Sequence, residues 1–494
     1  MRILLVYCNT MLENALPISI CQLSACLKKA GHDVRLFDTT FYKWGSKSST
    51  ERRIESLHIQ PCPIRYHEGD LFEDFHRQIM EYKPGLIGLS VVEPTFNLGI
   101  RMLEHVRDLI HSLKIRVALG GLHAIMAPET VDPYLALVDF VCVGEGESTL
   151  PSLCAKLDQG EPIDDHPGFW IRHAKGWRKS SLAPLTELDT LPPLDFEIFP
   201  ESFYLKPMMG QLYRTISIEL TRGCPYTCGY CCDYSLAEKF RHQGQQWFRQ
   251  KSLPTIKAEL DFYATRYNPQ FVYMMSDSFL AGSLERVKGF FDIYRHFAIP
   301  FWFNTRPEDI TEEKIILAKK WGCRRISIGV ESGNEEYRRK IMRRNLTNER
   351  IIEAATLLHQ QQISFSINVI IGCPDETRVM VFDSIRLARI INADTVSVHI
   401  FNPYHGTRFR EICVAKGYIK PDLIADDFYQ DYHLKGNSLS AAEVQGLFRT
   451  IPLYIKLPES QYPQIQRAEK LDQEGNTAFA ELRREFDTLV GWSR

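Results

Sequence analysis

The sequence predicts an α/β protein: a doubly wound, Rossmann-like domain, then a partial (β/α)6 TIM-type barrel, then a mostly helical module. Three observations carry this. Short continuous apolar runs alternate with helically spaced segments from the first residues onward, the pattern of parallel strands covered on both faces. A second series of six such units begins after a proline-punctuated break. At 494 residues the chain exceeds one core, so two or three domains are expected. The boundaries read as 1–158 for the Rossmann-like domain, 159–213 for a hairpin and linker, 214–416 for the barrel and 417–494 for the helical module.

In the first domain RILLVYC is a buried strand. Helical spacing over Pro17–Ala30 follows, Gly31 stops it, and HDVRLFD supplies a second strand. GLIGLSVV, RVALGG and VDFVCVG complete five. Ligands of such domains bind at the carboxyl ends of the strands. The unusual residues stand there: Ser90 to Thr95 (SVVEPT), Gly120-Gly121-Leu122-His123, and Gly144-Glu145-Gly146-Glu147. Glycines at these points either admit a bulky ligand or make tight turns; composition alone leaves both open.

FWIRHAKGWRKS reads as a hairpin turning at His173–Gly176, and LAPLTELDTLPPLDFEIFP as an extended linker. Barrel strands are expected at RTISIEL, FVYMMSD, PFWFNT, RRISIGV, SFSINVIIG and TVSVHIFN, with the chemistry at their carboxyl ends. Ala441–Thr450 and Asn476–Leu489 read as tail helices. A net charge of −2 argues against a nucleic-acid or anionic-membrane partner. No apolar stretch approaches the roughly 20 residues of a membrane span, and thirteen mostly scattered cysteines suit a reducing, cytoplasmic setting.

The first barrel strand runs into TRGCPYTCGYCC. Its C-x-x-x-C-x-x-C spacing selects Cys224, Cys228 and Cys231. A structural zinc site wants four ligands, commonly two C-x-x-C pairs, and no second pair exists here. Three close thiolates suit a [4Fe–4S] cluster with one iron left open. The motif resembles the signature of the radical S-adenosylmethionine (SAM) superfamily. That resemblance implies a 4Fe-4S cluster whose open iron binds SAM, and reductive cleavage of SAM to a 5′-deoxyadenosyl radical. Cys232 lies outside the spacing and reads as a neighbour.

The same resemblance assigns SAM-contacting positions. Tyr230 precedes the last cysteine. Ser276 and Asp277 stand in MMSDSF, Asn304 and Arg306 in FNTRPEDI, Glu331 in GVESGN, and Asn368 and Gly372 in SINVIIGCPDET. Arg306 could pair with the cofactor carboxylate or cap the barrel rim through a salt bridge. FNPYHGTRF resembles the family's proline-glycine-threonine segment. Cys373 is expected to pack as a small hydrophobe.

With GGLHA, VDFVCVGEGE and an LPPLD-type linker, residues 1–412 resemble the cobalamin-binding branch of that superfamily. Ser90, Thr95, Gly120, Gly121, Gly144 and Glu145 match loops that would line cobalamin. The D-x-H-x-x-G motif of other cobalamin proteins is absent, and His123 reads as a loop hydrogen-bonding residue. Cys8, Cys21, Cys26 and Cys62 do not fall where a methylthiotransferase's second cluster needs them. The resemblance implies a C-methyltransferase acting on a poorly activated carbon of a small or medium-sized molecule. It would use methylcobalamin, a second SAM and an electron donor such as flavodoxin or ferredoxin. A cyclase or ring-rearranging enzyme is the alternative, and a non-catalytic cobalamin or redox sensor a further one. Tyr404, Phe428, Tyr429 and Tyr432 either wall a substrate pocket or pack the tail. The sequence names neither a catalytic residue nor the substrate.

Overall fold

The computed structural model describes residues 1–10, 17–43, 47–61, 65–208, 211–426 and 432–491. The first sheet holds β1 (Arg2–Tyr7), β2 (Asp33–Asp38), β3 (Leu86–Ser90), β4 (Arg116–Gly120), β5 (Phe140–Cys142), β6 (Phe169–His173) and β7 (Gly176–Lys179). Their spatial order is β2-β1-β3-β4-β5-β6-β7. The strands are parallel as far as β5. Ile3 to Val6 are at most 1% exposed because helices cover both faces, which is why this strand reads as an unbroken apolar run. The hairpin β6–β7 is not free-standing: it adds antiparallel to β5 and extends the sheet.

The second sheet comprises β8 (Leu205–Met208), β9 (Gln211–Glu219), β12 (Phe271–Met275), β13 (Phe301–Thr305), β14 (Cys323–Glu331), β15 (Ser364–Ile371) and β16 (Thr395–Ile400). A two-residue ribbon, β10 (Thr221–Arg222) and β11 (Arg249–Gln250), lies beside it. The order is β16-β15-β14-β13-β12-β9-β8. The six expected strands are parallel neighbours, and β8 covers the free edge of β9 antiparallel. Ser252, Ser283, Thr311, Thr347, Thr377 and Thr407 each accept a backbone N–H at the start of a barrel helix. Such a cap contributes about 1 kcal/mol, so these hydroxyls fix where each helix leaves its loop.

The linker joins the domains by hydrogen bonds and packing. Gln22 donates to the Pro192 carbonyl (2.9 Å), Asp195 accepts from Ser24 and Lys28 (2.5 and 2.6 Å), and the Leu194 N–H reaches the Tyr263 hydroxyl (2.8 Å). One apolar core therefore runs from Ile3 and Cys21 through Phe196 and Phe199 to the barrel. The tail helices Ala441–Lys456, Tyr462–Glu469 and Gln473–Val490 close the β16 side, held by Arg378 on Glu469 (2.6 Å) and Arg389 on the Tyr454 and Leu457 carbonyls. No helix among the described residues is long and apolar enough to cross a membrane.

Candidate functional site

The cysteine loop leaves β10 at Gly223, whose φ is +80°. A Cβ there would lie 2.6 Å from the Trp247 ring, so only glycine lets the loop turn. Gly229 donates to the Met342 carbonyl (2.9 Å) and accepts from the Phe409 N–H (3.0 Å), and Cys231 N–H returns to the Cys228 carbonyl (3.2 Å). Helix Cys232–Arg241 follows immediately. Cys228 is buried, Cys224 and Cys231 half-buried, and none is in a disulfide. Burial pushes the Cys224 thiol up to about 12. The Cys231 thiol is also raised, first by its hydrogen bond with Cys232 and then by burial. Thiolates here need positive charge, and the protein supplies one guanidinium: Arg306 Nη1 is 3.0 Å from Cys228 Sγ, stacked 3.7 Å over the Tyr226 ring. Three sulfurs on one loop, none in a disulfide and each withdrawn at least in part from water, are the donor set of a cluster held by three cysteines.

The other strand ends ring this loop. Burial raises the Asp277 carboxyl to about 7, with Asp233 and Glu219 adding to it. The Ser276 hydroxyl turns back to the Met275 carbonyl (2.8 Å), and Asn304 donates to the Tyr273 hydroxyl (2.6 Å). Glu331 ends β14 in the left-handed region (φ +66°), beside Tyr230 and 3.6 Å from Arg344 Nη1. Asn368 is half-buried on β15 opposite Gly329. Gly372 has φ +78°, and a Cβ there would strike the Tyr432 ring at 2.7 Å.

Several residues of this ring were not singled out from the sequence. Glu308 lies between Arg306 and Arg344 (3.0 Å from Arg344 Nη2). Burial alone would raise its carboxyl, but hydrogen bonds and charge from Arg344 and then Arg306 hold it at about 2. Arg306 thus makes the rim salt bridge that was one of the two roles foreseen for it, through Glu308, and it also reaches Cys228, a contact not foreseen. Asp309 accepts from Ser278 (2.5 Å) and from the Tyr226 hydroxyl, tying β12 and β13 to the cysteine loop. FNTRPEDI contained both acids; the signal missed was that acids behind a rim arginine orient it.

The first domain presents its strand ends to this rim. Thr95 is 1% exposed and its hydroxyl caps its own helix at Val92 (3.1 and 3.2 Å). Ser90 is half-buried at the end of β3. Gly121 (φ +95°) lies so close to Val91 that a Cβ would be 2.3 Å from its carbonyl oxygen. Gly120 ends β4 beside Cys142, and its carbonyl accepts from the Val91 N–H (3.0 Å). Around Gly144 an added Cβ would meet nothing within 4 Å. Val92 and Leu122 expose apolar side chains at the same strand ends. The open approach at Gly144, flanked by exposed aliphatics at the neighbouring strand ends, fits a large, partly apolar ring such as a corrin. Glu145 does other work: its carboxylate takes Arg222 (2.9 Å), Arg249 and the Thr186 N–H (2.8 Å), bolting this loop to the barrel. Arg222 also holds Glu147 (2.7 Å) and Glu219 (2.9 Å), one residue before the cysteine loop begins.

Residues 4–154 match the family described as B12 binding domain, and residues 218–388 match the Radical SAM superfamily. The chain belongs to the cobalamin-binding radical SAM proteins. Its cofactors are a 4Fe-4S cluster, SAM and cobalamin. Three relatives illustrate its neighbourhood. An uncharacterised methyltransferase of Pyrococcus horikoshii is 23% identical over 70% of this chain and 72% of its own. The anaerobic magnesium-protoporphyrin IX monomethyl ester cyclase of Rubrivivax gelatinosus is 23% identical over 68% and 60%. The hopanoid C-3 methylase of Methylococcus capsulatus is 24% identical over 79% and 67%. Among solved structures, the radical SAM methyltransferase TsrM from Kitasatospora setae, with cobalamin and a [4Fe-4S] cluster bound, has a TM-score of 0.63 at 14% identity and covers 99% of both chains. The cobalamin-dependent enzyme OxsB with aqua-cobalamin and SAM gives 0.66 at 17% identity, covering 99% of this chain and 71% of its own. These two share the fold. In this radical SAM protein Cys373 and Tyr432 lie at the rim but face inward. Cys373 is fully buried, and Tyr432 donates to the Gly372 carbonyl (2.9 Å). Tyr404 is half-buried; Phe428 and Tyr429 lie outside the described residues.

Proposed function

We propose that this radical SAM protein is a cobalamin-dependent C-methyltransferase acting in the cytoplasm on a poorly activated carbon of a small or medium-sized molecule. The observation that carries the reading is the joint: Glu145 and Glu147 of the cobalamin domain grip Arg222 beside the cysteine loop, so the two cofactor regions face each other. When bound, the cluster and SAM supply a hydrogen-abstracting carbon radical, and cobalamin supplies a transferable methyl group.

The chain's own residues hold and orient. Cys224, Cys228 and Cys231 ligate the cluster, with Arg306 offsetting charge at Cys228. We assign Asp277 and Ser276 to the methionine end of SAM, Glu331, Asn304 and Asn368 to its ribose side, and Tyr230 and Gly372 to its adenine. Ser90, Thr95, Gly120, Gly121 and Gly144 shape the cobalamin cradle, and Glu145 keeps that cradle in register with the barrel. Reducing equivalents come from a flavodoxin- or ferredoxin-type donor.

The Pyrococcus and Methylococcus relatives support methyl transfer, and the Rubrivivax relative supports a second reading, cyclisation without it. The two are separable before a substrate is known. Anaerobically reconstituted protein, loaded with cobalamin and given SAM and a reductant, should form S-adenosylhomocysteine and methylcobalamin as well as 5′-deoxyadenosine. Release of 5′-deoxyadenosine with no S-adenosylhomocysteine would select the cyclase, and neither product would leave the sensor.

A further inference from the structure

We infer that Glu93, His123 and His405 form a divalent metal site of the zinc class at the joint between the two domains. The three ligand atoms, one per residue, all lie within 4.8 Å of one another, and they come from three separate segments. Glu93 opens the helix after β3, His123 follows the glycine pair after β4, and His405 stands in the loop after β16. Gly121 brings His123 there: its close approach to Val91 lets the His123 N–H reach the Val91 carbonyl (3.4 Å).

The hydrogen bonds fix what His123 offers. The Thr130 hydroxyl has one proton and gives it to the Ala127 carbonyl (2.7 Å). With that bond made it accepts from His123 Nε2, which is 2.9 Å away, and this is the tautomer we assign. Nε2 carries the proton, and Nδ1 is left with a bare lone pair. That Nδ1 is buried on a residue 2% exposed, has no hydrogen-bond partner, and lies 3.9 Å from Glu93 Oε2. A lone pair facing a carboxylate is a repulsive arrangement that a cation between them reverses. The Nε2–H to Thr130 bond is the outer contact that metal-bound imidazoles usually keep.

His405 supplies the third donor. Its Nδ1 is 2.9 Å from Glu93 Oε1, and its ring lies 5.6 Å from that of His123 at 82°. A tetrahedral ion with bonds of about 2.0–2.2 Å holds its donors about 3.3 Å apart. The 2.9 Å contact of His405 is to Oε1 and the 3.9 Å contact of His123 is to Oε2, and one donor atom from each of the three residues falls within 4.8 Å of the other two. Backbone donors fix the Glu93 carboxylate in place: Oε2 accepts the His405 N–H (2.7 Å) and Oε1 the Ala425 N–H (3.0 Å), leaving each oxygen a further lone pair. Arg410 approaches Oε1 to 3.7 Å but directs its N–H groups to the Pro403, Pro421 and Leu423 carbonyls. The open side is therefore that of Oε2 and His123. Two imidazoles and one carboxylate select zinc-like ions over magnesium or calcium.

The test uses the full chain loaded with cluster and cobalamin, so that the cysteine thiols are occupied, dialysed against micromolar zinc and then analysed for zinc, iron and cobalt. We expect one zinc per chain, with an X-ray absorption edge showing nitrogen and oxygen neighbours only. His123→Ala and His405→Ala should each lower zinc at least tenfold while iron per chain and the circular dichroism spectrum stay unchanged. His405→Ala lies on a loop and guards against a folding failure of the buried His123 variant. Zinc well below one per chain, sulfur neighbours at the edge, or retention of zinc in both variants would overturn the site.

Discussion

At the scale of single residues, the reading of the cysteine loop rests on spacing, and its sharpest consequence is a contrast between neighbours. Cys224→Ala, Cys228→Ala and Cys231→Ala should each yield reconstituted protein with little iron or sulfide. Cys232→Ala, which removes only a hydrogen-bonding neighbour of Cys231, should keep about four irons per chain; loss of iron there would place Cys232 among the ligands. A second residue-level prediction concerns Glu376. It is fully buried, and its Oε2 accepts the Gly372 and Cys373 N–H groups (2.6 and 3.2 Å) while Oε1 has no partner. Burial raises its carboxyl from 4.5 to about 8, against the pull of those two N–H donors. A raised pKa means the folded state favours the protonated acid. That stability is fully present below pH 4.5 and is lost as pH rises through 8. Through the middle of that window the slope is about 1.4 kcal/mol per pH unit. Glu376→Gln keeps the acceptor and cannot ionise, so urea denaturation of the variant should show a flatter pH dependence than wild type; parallel curves would refute the assignment. The cysteine trio could be read from the sequence because its spacing is local. Glu376, Glu308 and Arg344 could not, because a buried acid is recognised only by what surrounds it.

At the scale of elements, strands were legible and their ends less so. All six barrel strands fall where alternation and apolar runs placed them, within two or three residues. Helix Ile18–Lys29 lies inside the span predicted for it. Two features needed three dimensions. The hairpin β6–β7 joins the first sheet through a long-range pairing with β5, and β8, adjacent in sequence, pairs antiparallel on the edge of β9; neither leaves a periodicity to read. The ends of strands are fixed by close packing. Gly333 follows β14, and a Cβ there would lie 2.4 Å from the Asp383 carbonyl oxygen and 2.5 Å from Ser384 Cα, atoms of a helix backbone that cannot step aside. Gly333→Ala should therefore destabilise the protein by about 1–3 kcal/mol and shift the β14 end that carries Glu331. The check is a lowered unfolding midpoint together with weaker SAM binding. A stability equal to wild type would mean that the loop and helix are not packed this tightly.

At the scale of the whole molecule, the two-domain order was legible because each domain repeats its own rhythm. The joint was not. GEGE reads equally as a ligand loop or a clamp, and only the folded chain brings Arg222 and Arg249 to it. Glu145 is 7% exposed at its side chain, and Arg222 and Arg249 are 15% and 17% exposed, so these charges are largely withdrawn from water. Removing one partner from such a set costs about 3–5 kcal/mol, because the remaining charges keep their desolvation penalty. Arg222 retains Glu147 and Glu219, and Arg249 retains the Thr186 carbonyl (2.7 Å), so Glu145→Ala loosens the joint without emptying it. The shared apolar core should make wild type unfold in one calorimetric transition. In Glu145→Ala the barrel and the cobalamin domain should begin to separate, seen as a lower and broader or divided transition and faster proteolysis in the linker over 182–200. Because the Glu145 carboxylate faces arginines, the variant should still retain corrinoid. Loss of corrinoid with an unchanged thermogram would return Glu145 to the cobalamin cradle. A lower, broadened transition with corrinoid retained would fix it as the bolt that holds two cofactors face to face.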